Sequence, residues 1–129
     1  NVTTGSDGVI MGAAGGHSDC AAGAKLAIVV ANLTRKQFCV VRDHVTTVTT
    51  PGDTIDALVT DYGIAINPRR KDLLEKLKGS DLPLHTIEEL KEIGESVVGP
   101  QTHAAVTNRI VGIVEYRDGS VIDLVYQKE

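Results

Sequence analysis

Short apolar runs without strand-type alternation most limit what this chain can fold into. Val9-Ile10-Met11 and the run from Leu26 to Ala31 carry apolar side chains at consecutive positions. Because neighbouring side chains of a strand point to opposite faces, such runs suit strands that are covered on both faces of a sheet. Segments with helical spacing follow them along the chain. The sequence therefore predicts an α/β fold, with α+β as the alternative within the same class of mixed structures.

Further strands are expected in the middle of the chain. Phe38 to Val41 predicts one strand, and the β-branched run Val45 to Thr50 favours extended backbone. Pro51-Gly52 then predicts a turn, with proline at its second position and glycine free to adopt positive φ. Two more strands are expected on either side of Asp61-Tyr62-Gly63.

Two helices are predicted between residues 67 and 100. The first is expected to begin with Asn67 as N-cap and Pro68 at the first helical position, and to stop at Gly79. Its helical spacing comes from Leu73, Leu74 and Leu77. The second begins with a capping box and ends at Gly99-Pro100. Thr86 and Glu89 form that box. The apolar stripe of the helix consists of Ile87, Leu90, Ile93 and Val97.

The C-terminal segment predicts a β-hairpin. Two β-type runs flank Asp118-Gly119, a signal for a two-residue type I′ turn. That turn would pair Tyr116 with Val121 and Ile113 with Leu124. Both faces carry apolar residues, so we expect the hairpin to pack against another surface.

Composition excludes several classes of function. At 129 residues the chain suits a single domain or part of one, and with 3% aromatic residues its core must be aliphatic. A net charge of -4 with dispersed basic residues argues against nucleic acid. The apolar run from Leu26 to Leu33 is too short to span a membrane. Cys20 and Cys39 show no CxxC spacing, and the first residues, NVTTGSDG, show no charged leader or apolar signal region, so we expect reduced thiols and a cytoplasmic location.

The stretch GAAGGHSDCAAGAK, residues 12 to 25, carries the strongest hint of chemistry. Without Cβ atoms, Gly15 and Gly16 let backbone N–H groups approach a ligand and form a nest for an oxyanion, a carboxylate or a phosphate. The alternative is a tight structural turn. The pattern is neither GxGxxG nor followed by GK[ST], so it supports neither a dinucleotide site nor a P-loop.

The polar residues beside the glycines are candidates for substrate contacts. A metal site would need at least three protein ligands, and the remaining histidines are scattered, so no metal is expected. His17 could contact substrate, and Asp19 either does so or caps the following turn. Ser18 lacks the GxSxG context of a nucleophile, and Cys20 is expected to be a small packed residue.

Four colinear segments resemble a known family. GSDGVIMGAAGGHSDCAAGAKLAIVVANL, VTTVTTPGDTIDALVTDYGIAINPRRKDLLEKLK, LPLHTIEEL and YRDGSVIDLVYQ are together similar to the C-terminal part of the citrate lyase alpha chain. GGHSD is also similar to the GGHxD turn of coenzyme A transferases. The resemblance implies an α/β fold of the coenzyme A transferase type, with a sheet, flanking helices and a C-terminal hairpin.

This resemblance also implies a reaction. The family exchanges acetyl for citryl on a carrier thioester, so that acetyl carrier and citrate give citryl carrier and acetate, through a mixed anhydride and without a glutamyl thioester. Implied partners are citrate, the gamma carrier chain and the beta lyase chain in an oligomeric complex. No cofactor is bound covalently; the substrate arm is a dephospho-coenzyme A derivative, or a coenzyme A thioester.

Individual roles follow from the matching motif. Gly15 and Gly16 would bind the thioester oxygen through their amides, and the substrate contacts would come from Gly12, His17, Ser18 and Asp19. The ENG motif that carries the catalytic glutamate of related transferases does not occur, so the isolated 129-residue chain is expected to be inactive. Alternatives are the alpha chain of another carrier-dependent transferase, such as malonate decarboxylase, or a module that only docks the carrier arm or partner subunits.

Overall fold

The computed structural model describes residues 1–5, 10, 12 and 14–129, which form two compact units. The first unit contains residues 1–25, 44–54 and 102–129, and the second contains residues 26–43 and 55–101. Both contain helix and strand, so the predicted mixed α/β class is confirmed. The predicted strand at residues 9–11 lies, apart from Ile10, outside the described residues.

A four-stranded mixed sheet organises the second unit. Its strand order is β1-β4-β5-β6, where β1 is parallel to β4, β4 is antiparallel to β5, and β5 is parallel to β6. The strands of this sheet, numbered in chain order, are β1 (Ile28–Val30), β4 (Ala57–Val59), β5 (Ile64–Ile66) and β6 (Leu84–His85). Two further strands, β2 (Thr34–Arg35) and β3 (Phe38–Cys39), form a separate antiparallel pair. The strands predicted at 26–31, at 38–41 and around 61–63 are therefore present, with narrower bounds.

The helix α3 (Ile87–Val98) covers the apolar centre of this unit. The predicted capping box of Thr86 and Glu89 is present, and Gly99 is the C-cap. The predicted stripe is only partly correct, because Ile87 and Val97 are exposed. Leu90 and Gly94, one helical turn apart, are the buried positions instead. The helix therefore packs against β3 through residues spaced four apart on one face. The apolar cluster of this unit consists of Leu33, Cys39, Val41, Ala65 and Leu90.

The helix α2 (Lys71–Leu77) begins later than its sequence predicts. The Asn67 side chain accepts a hydrogen bond from the Arg69 amide at 3.0 Å, and the Asn67 carbonyl accepts one from the Arg70 amide at 2.9 Å. These bonds close a turn, so Asn67 caps that turn and Arg70 becomes the N-cap of the helix. The predicted stop is correct, since the helix ends just before Gly79.

Asp56 joins three segments of the second unit. Its carboxylate accepts a hydrogen bond from the Ala27 amide at 2.7 Å and lies 2.6 Å from Arg70 Nη1. Its carbonyl accepts one from the Asn67 amide at 2.8 Å. Burial alone would raise the pKa of Asp56, but the bonds from Ala27 and Arg70 outweigh it and the pKa is lowered. The side chain therefore stays ionised at neutral pH.

The first unit contains a helix, a hairpin and a 3₁₀ turn. These are α1 (His17–Gly23), the antiparallel strands β7 (Val106–Glu115) and β8 (Val121–Lys128), and the 3₁₀ helix Gly52–Thr54. Exposed apolar side chains remain on the hairpin, including Ile110, Val111 and Ile113. Our expectation that this hairpin packs against another surface stays a prediction.

The hairpin connection differs from the predicted type I′ turn. Ile113 faces Leu124 as predicted, but Val121 pairs with Glu115 rather than Tyr116. The Tyr116 amide donates to the Ser120 carbonyl at 2.7 Å, and the Gly119 amide donates to the Tyr116 carbonyl at 2.9 Å. With Gly119 at φ 85°, this is a three-residue loop with a bulge.

The β-branched run Val45 to Thr50 is not a strand, so that prediction is wrong. Its backbone is bound by other partners: the Val48 amide donates to the Asp123 carboxylate at 2.6 Å, and the Thr49 and Thr50 amides both donate to the Val2 carbonyl. These contacts bend the segment and bury Thr47, Thr49 and Thr50. The Pro51-Gly52 turn is present, but Pro51 occupies its first position, since its carbonyl accepts the Thr54 amide. No helix within the described residues has the length and apolar character needed to cross a membrane.

Replacing Gly94 with alanine tests the close contact between α3 and β3. A Cβ at Gly94 would collide with Cys39 Sγ, whereas one at Gly23, near the end of α1, meets nothing within 4 Å. We expect Gly94→Ala to lower the free energy of unfolding by roughly 1–2 kcal/mol, because overpacking outweighs the gain in helix propensity. Gly23→Ala should leave it unchanged or slightly higher. Urea unfolding of both variants measures this, and equal stability would contradict the packing.

The pH dependence of stability tests the bonds of Asp56. Because its pKa is lower in the folded state, its contribution is complete above the ordinary aspartate value of about 3.9 and is lost as pH falls through the folded value. Asp56→Asn should lower the free energy of unfolding by about 1–3 kcal/mol at pH 7 and by much less at pH 2. The exposed Asp81→Asn is the control in urea unfolding at both pH values. If Asp56→Asn lowers the free energy of unfolding equally at both pH values, the charge of Asp56 does not contribute to stability.

Candidate functional site

The glycine turn leads directly into α1. Gly15 has φ +60°, a left-handed conformation that favours glycine. Gly16, the residue before the helix, has φ -83°, which any residue can adopt, and the nearest atom to an added Cβ is Cys20 Sγ at 3.9 Å. The fold therefore explains a glycine at position 15, but neither backbone conformation nor packing requires one at position 16.

The backbone amides of this turn are not used inside the described structure. The Gly16 carbonyl accepts the Cys20 amide at 2.9 Å and so begins the helix, which has no side-chain cap. Within residues 1–5, 10, 12 and 14–129, no acceptor takes a hydrogen bond from the amide of Gly15 or Gly16. Both residues are exposed. These N–H groups can therefore donate to a ligand.

An open cleft of about 390 Å³ lies beside this turn, within the first unit. Three parts of the chain line it: the glycine turn with the start of α1, the threonine-rich segment 45–50, and the end of β7 with the residues that follow it. The lining residues are Ala14, Gly15, Ser18, Asp19, Thr49, Val114, Glu115, Tyr116 and Arg117. Ser18 and Asp19, two predicted substrate contacts, are thus in the same cleft as Gly15. Gly12, Gly16 and His17 are not among its lining residues.

His17 has a partner inside the protein. Its Nδ1 lies 2.7 Å from the hydroxyl of Thr50, which is fully buried. This bond connects α1 to the segment that contains the buried threonines. A substrate contact by His17 stays a prediction, and it would have to use Nε2, because Nδ1 is already engaged.

The sequence does not predict the wall contributed by the hairpin. Arg117 Nε lies 3.8 Å from Asp19 Oδ1, and both side chains are at least half exposed. Glu115 and Tyr116 line the cleft beside Arg117. About a hundred residues separate these positions from the glycine turn, so no local spacing connects them. The hairpin signal at Asp118-Gly119 locates the turn but not the cleft that it borders.

Cysteine and metal chemistry find little support among the described residues. Both cysteines are free. Burial raises the pKa of Cys39, which disfavours the nucleophilic thiolate. Cys20 is exposed, so its interpretation as a packed residue is wrong. The described side chains contain no group of three His, Cys, Asp or Glu residues that could hold a metal ion.

Comparison with known proteins assigns the family. The family model described as citrate lyase, alpha subunit (CitF) matches residues 1–128. The chain belongs to the citrate lyase alpha subunit family. Relatives named citrate lyase alpha chain come from Haemophilus influenzae, Klebsiella pneumoniae and Escherichia coli, and are 54%, 51% and 47% identical over 127 residues, or 98% of this chain.

A solved structure is also similar to this chain. It is a crystal structure described as the alpha subunit of citrate lyase from Streptococcus mutans in complex with citrate. The identity is 49%, the TM-score is 0.92, and the match covers all of this chain. The chain spans only 25% of that protein's length, and 25% of each of the three relatives. Which quarter of the family's length it represents, predicted above to be the C-terminal part, stays a prediction.

A double-mutant cycle tests the bond between His17 and Thr50. His17→Ala and Thr50→Val each remove the same hydrogen bond, and each should lower the free energy of unfolding by about 1 kcal/mol or more. The double variant should cost clearly less than the sum, because the bond can be lost only once. Ser18→Ala, next to His17, is the matched control and should have little effect. Strict additivity in thermal or urea unfolding would contradict the bond.

Proposed function

We propose that this chain forms part of the transfer site of a citrate lyase alpha subunit. The reaction exchanges acyl groups on a carrier thioester: acetyl carrier and citrate give citryl carrier and acetate. Membership of the alpha subunit family supports this proposal. The relatives are all named for citrate lyase, and the similar structure is described as a complex with citrate, which favours citrate over the malonate alternative.

The observation that carries the mechanism is the pair of unused amides at Gly15, which lines an open cleft, and at its neighbour Gly16. When a citrate carboxylate oxygen attacks the acetyl thioester carbon, the carbonyl electron pair moves to oxygen, and the carrier thiolate leaves as the carbonyl re-forms, which gives a mixed anhydride. The thiolate then attacks the citryl carbonyl of that anhydride, and acetate leaves. Amides within about 3 Å of the carbonyl oxygen under attack stabilise its charge. A bare Gly16, which the fold does not require, leaves room for this approach.

The polar residues at the start of α1 have different parts in this proposal. Ser18 and Asp19 line the cleft and can contact or orient the substrate. His17 holds α1 in place through Thr50 and so orients the turn. Gly12 is exposed, and a direct substrate contact there rests on its position in the matching motif.

The larger assembly is part of the same proposal. We infer a fold of the coenzyme A transferase type, for which the mixed sheet of the second unit is suitable. The partners would be a gamma chain that carries a dephospho-coenzyme A derivative and a beta chain that cleaves the citryl thioester. Because the chain spans 25% of its relatives, we expect the complete alpha subunit, and not this chain alone, to catalyse the exchange in the cytoplasm.

Gly16→Val in the complete alpha subunit tests the role of the glycine turn. The substitution keeps an allowed φ but places a branched side chain beside the unused amides. We expect acetate release from acetyl carrier and citrate to fall about 100-fold or more, as when an oxyanion donor is lost. Gly23→Val, at the other end of α1 and also in open space, should retain activity.

The outcomes separate the competing functions. Full activity of Gly16→Val with normal folding would exclude the amide role. Loss of activity that is accompanied by a matching loss of stability would assign the turn a structural part. If the wild-type subunit binds the acetyl carrier but releases no acetate with citrate, the chain belongs to a docking module and the transfer proposal fails.

A further inference from the structure

The hairpin loop holds Arg117 in a defined position at the cleft. Arg117 follows Tyr116, whose amide and carbonyl are both hydrogen-bonded across the loop. Two bonds from Ser120, one from its amide at 3.0 Å and one from its hydroxyl at 2.6 Å, reach the Asp118 carboxylate. The backbone on both sides of Arg117 is thus fixed, and Arg117 lines the same cleft as the glycine turn.

The guanidinium has only a loose partner there. Its Nε is 3.8 Å from Asp19 Oδ1, beyond hydrogen-bond distance, and the side chains of Arg117 and Asp19 are 50% and 63% exposed. Exposed pairs of this kind contribute little to stability. A guanidinium forms short paired bonds with a carboxylate when one is correctly placed. Releasing Arg117 from Asp19 to bind a ligand carboxylate therefore costs little.

The cleft offers an anionic ligand a single positively charged partner. Among its nine lining residues, Arg117 is the one cation, and Asp19 and Glu115 are the anions. A ligand carboxylate can form the short paired bonds that the 3.8 Å approach of Asp19 does not provide, while the exposed Asp19 side chain turns toward solvent. Asp19 thus occupies part of the place that a ligand carboxylate would take.

We propose that Arg117 is a specificity-determining residue that binds a carboxylate of the acid substrate, in exchange for its loose pair with Asp19. This inference rests on the proposed function, since it names the group that recognises the acid in the same cleft. It assigns to the hairpin loop a role that the glycine turn cannot fill. Backbone amides stabilise the reacting oxygen, while a cation distinguishes a di- or tricarboxylic acid from a monocarboxylic product such as acetate.

Arg117→Gln in the complete alpha subunit, assembled with its carrier chain, tests this assignment. We expect the Kd for citrate, measured by calorimetry, and the KM for citrate to rise about 10- to 100-fold, the loss typical of a hydrogen-bonded charge. The KM for acetyl carrier should stay within about twofold, and Arg117→Lys should restore part of the affinity because it keeps the charge. Arg109→Gln, an exposed arginine on β7 that does not line the cleft, is the matched control.

Other outcomes would overturn the assignment. An unchanged Kd for citrate in Arg117→Gln would exclude the carboxylate role. A raised KM for acetyl carrier, together with lost competition by inorganic phosphate, would assign Arg117 to the phosphate of the carrier arm instead. If Gly16→Val abolishes exchange while Arg117→Gln leaves citrate binding intact, this inference fails and the proposed function stands. If the wild-type subunit shows no exchange but Arg117→Gln weakens citrate binding, the proposed function fails and the carboxylate role of Arg117 stands.

Discussion

Carboxylate oxygens that accept hydrogen bonds from distant backbone amides hold the irregular segments of this chain in place. Asp56 binds the Ala27 amide, Asp61 binds the Leu33 amide at 2.7 Å, and Asp123 binds the Val48 amide. Such charge-assisted bonds are about twice as strong as neutral ones. They matter here because few described side chains are fully buried and aromatic residues make up 3% of the sequence. Polar bonds therefore position segments that apolar packing alone would leave poorly defined.

The candidate site depends on the same kind of contact. The buried segment that Asp123 binds through Val48 also contains Thr50, and Thr50 binds His17 at the start of α1. Asp123 belongs to β8, whose partner strand β7 ends at the cleft. A short chain of side-chain bonds thus runs from the hairpin through the threonine segment to the helix behind the glycine turn. This connection gives the turn and the hairpin wall a common support.

Local signals predicted the elements whose stabilising contacts are also local. The capping box of Thr86 and Glu89 and the strands beside Asp61-Tyr62-Gly63 depend on neighbouring residues, and both are present. The run Val45 to Thr50 has strong β propensity, yet its amides bind Val2 and Asp123, which no local pattern can reveal. The cleft follows the same rule. Its glycine side is visible in the sequence, whereas Arg117 reaches it only through the tertiary fold.

The two glycines of the turn differ in what explains them. A positive φ accounts for Gly15 even in a protein without any ligand. Gly16 has an ordinary φ, open space for a Cβ, and a position before a helix where serine, threonine or aspartate would satisfy a free amide by capping. A capping side chain at that position would bind the amide of Ser18 or Asp19 and would place bulk beside the Gly15 and Gly16 amides that the proposed mechanism needs. The absence of a cap is thus a cost in helix stability that a purely structural turn would not require, and free access of an oxyanion to the neighbouring Gly15 and Gly16 amides gives it a reason.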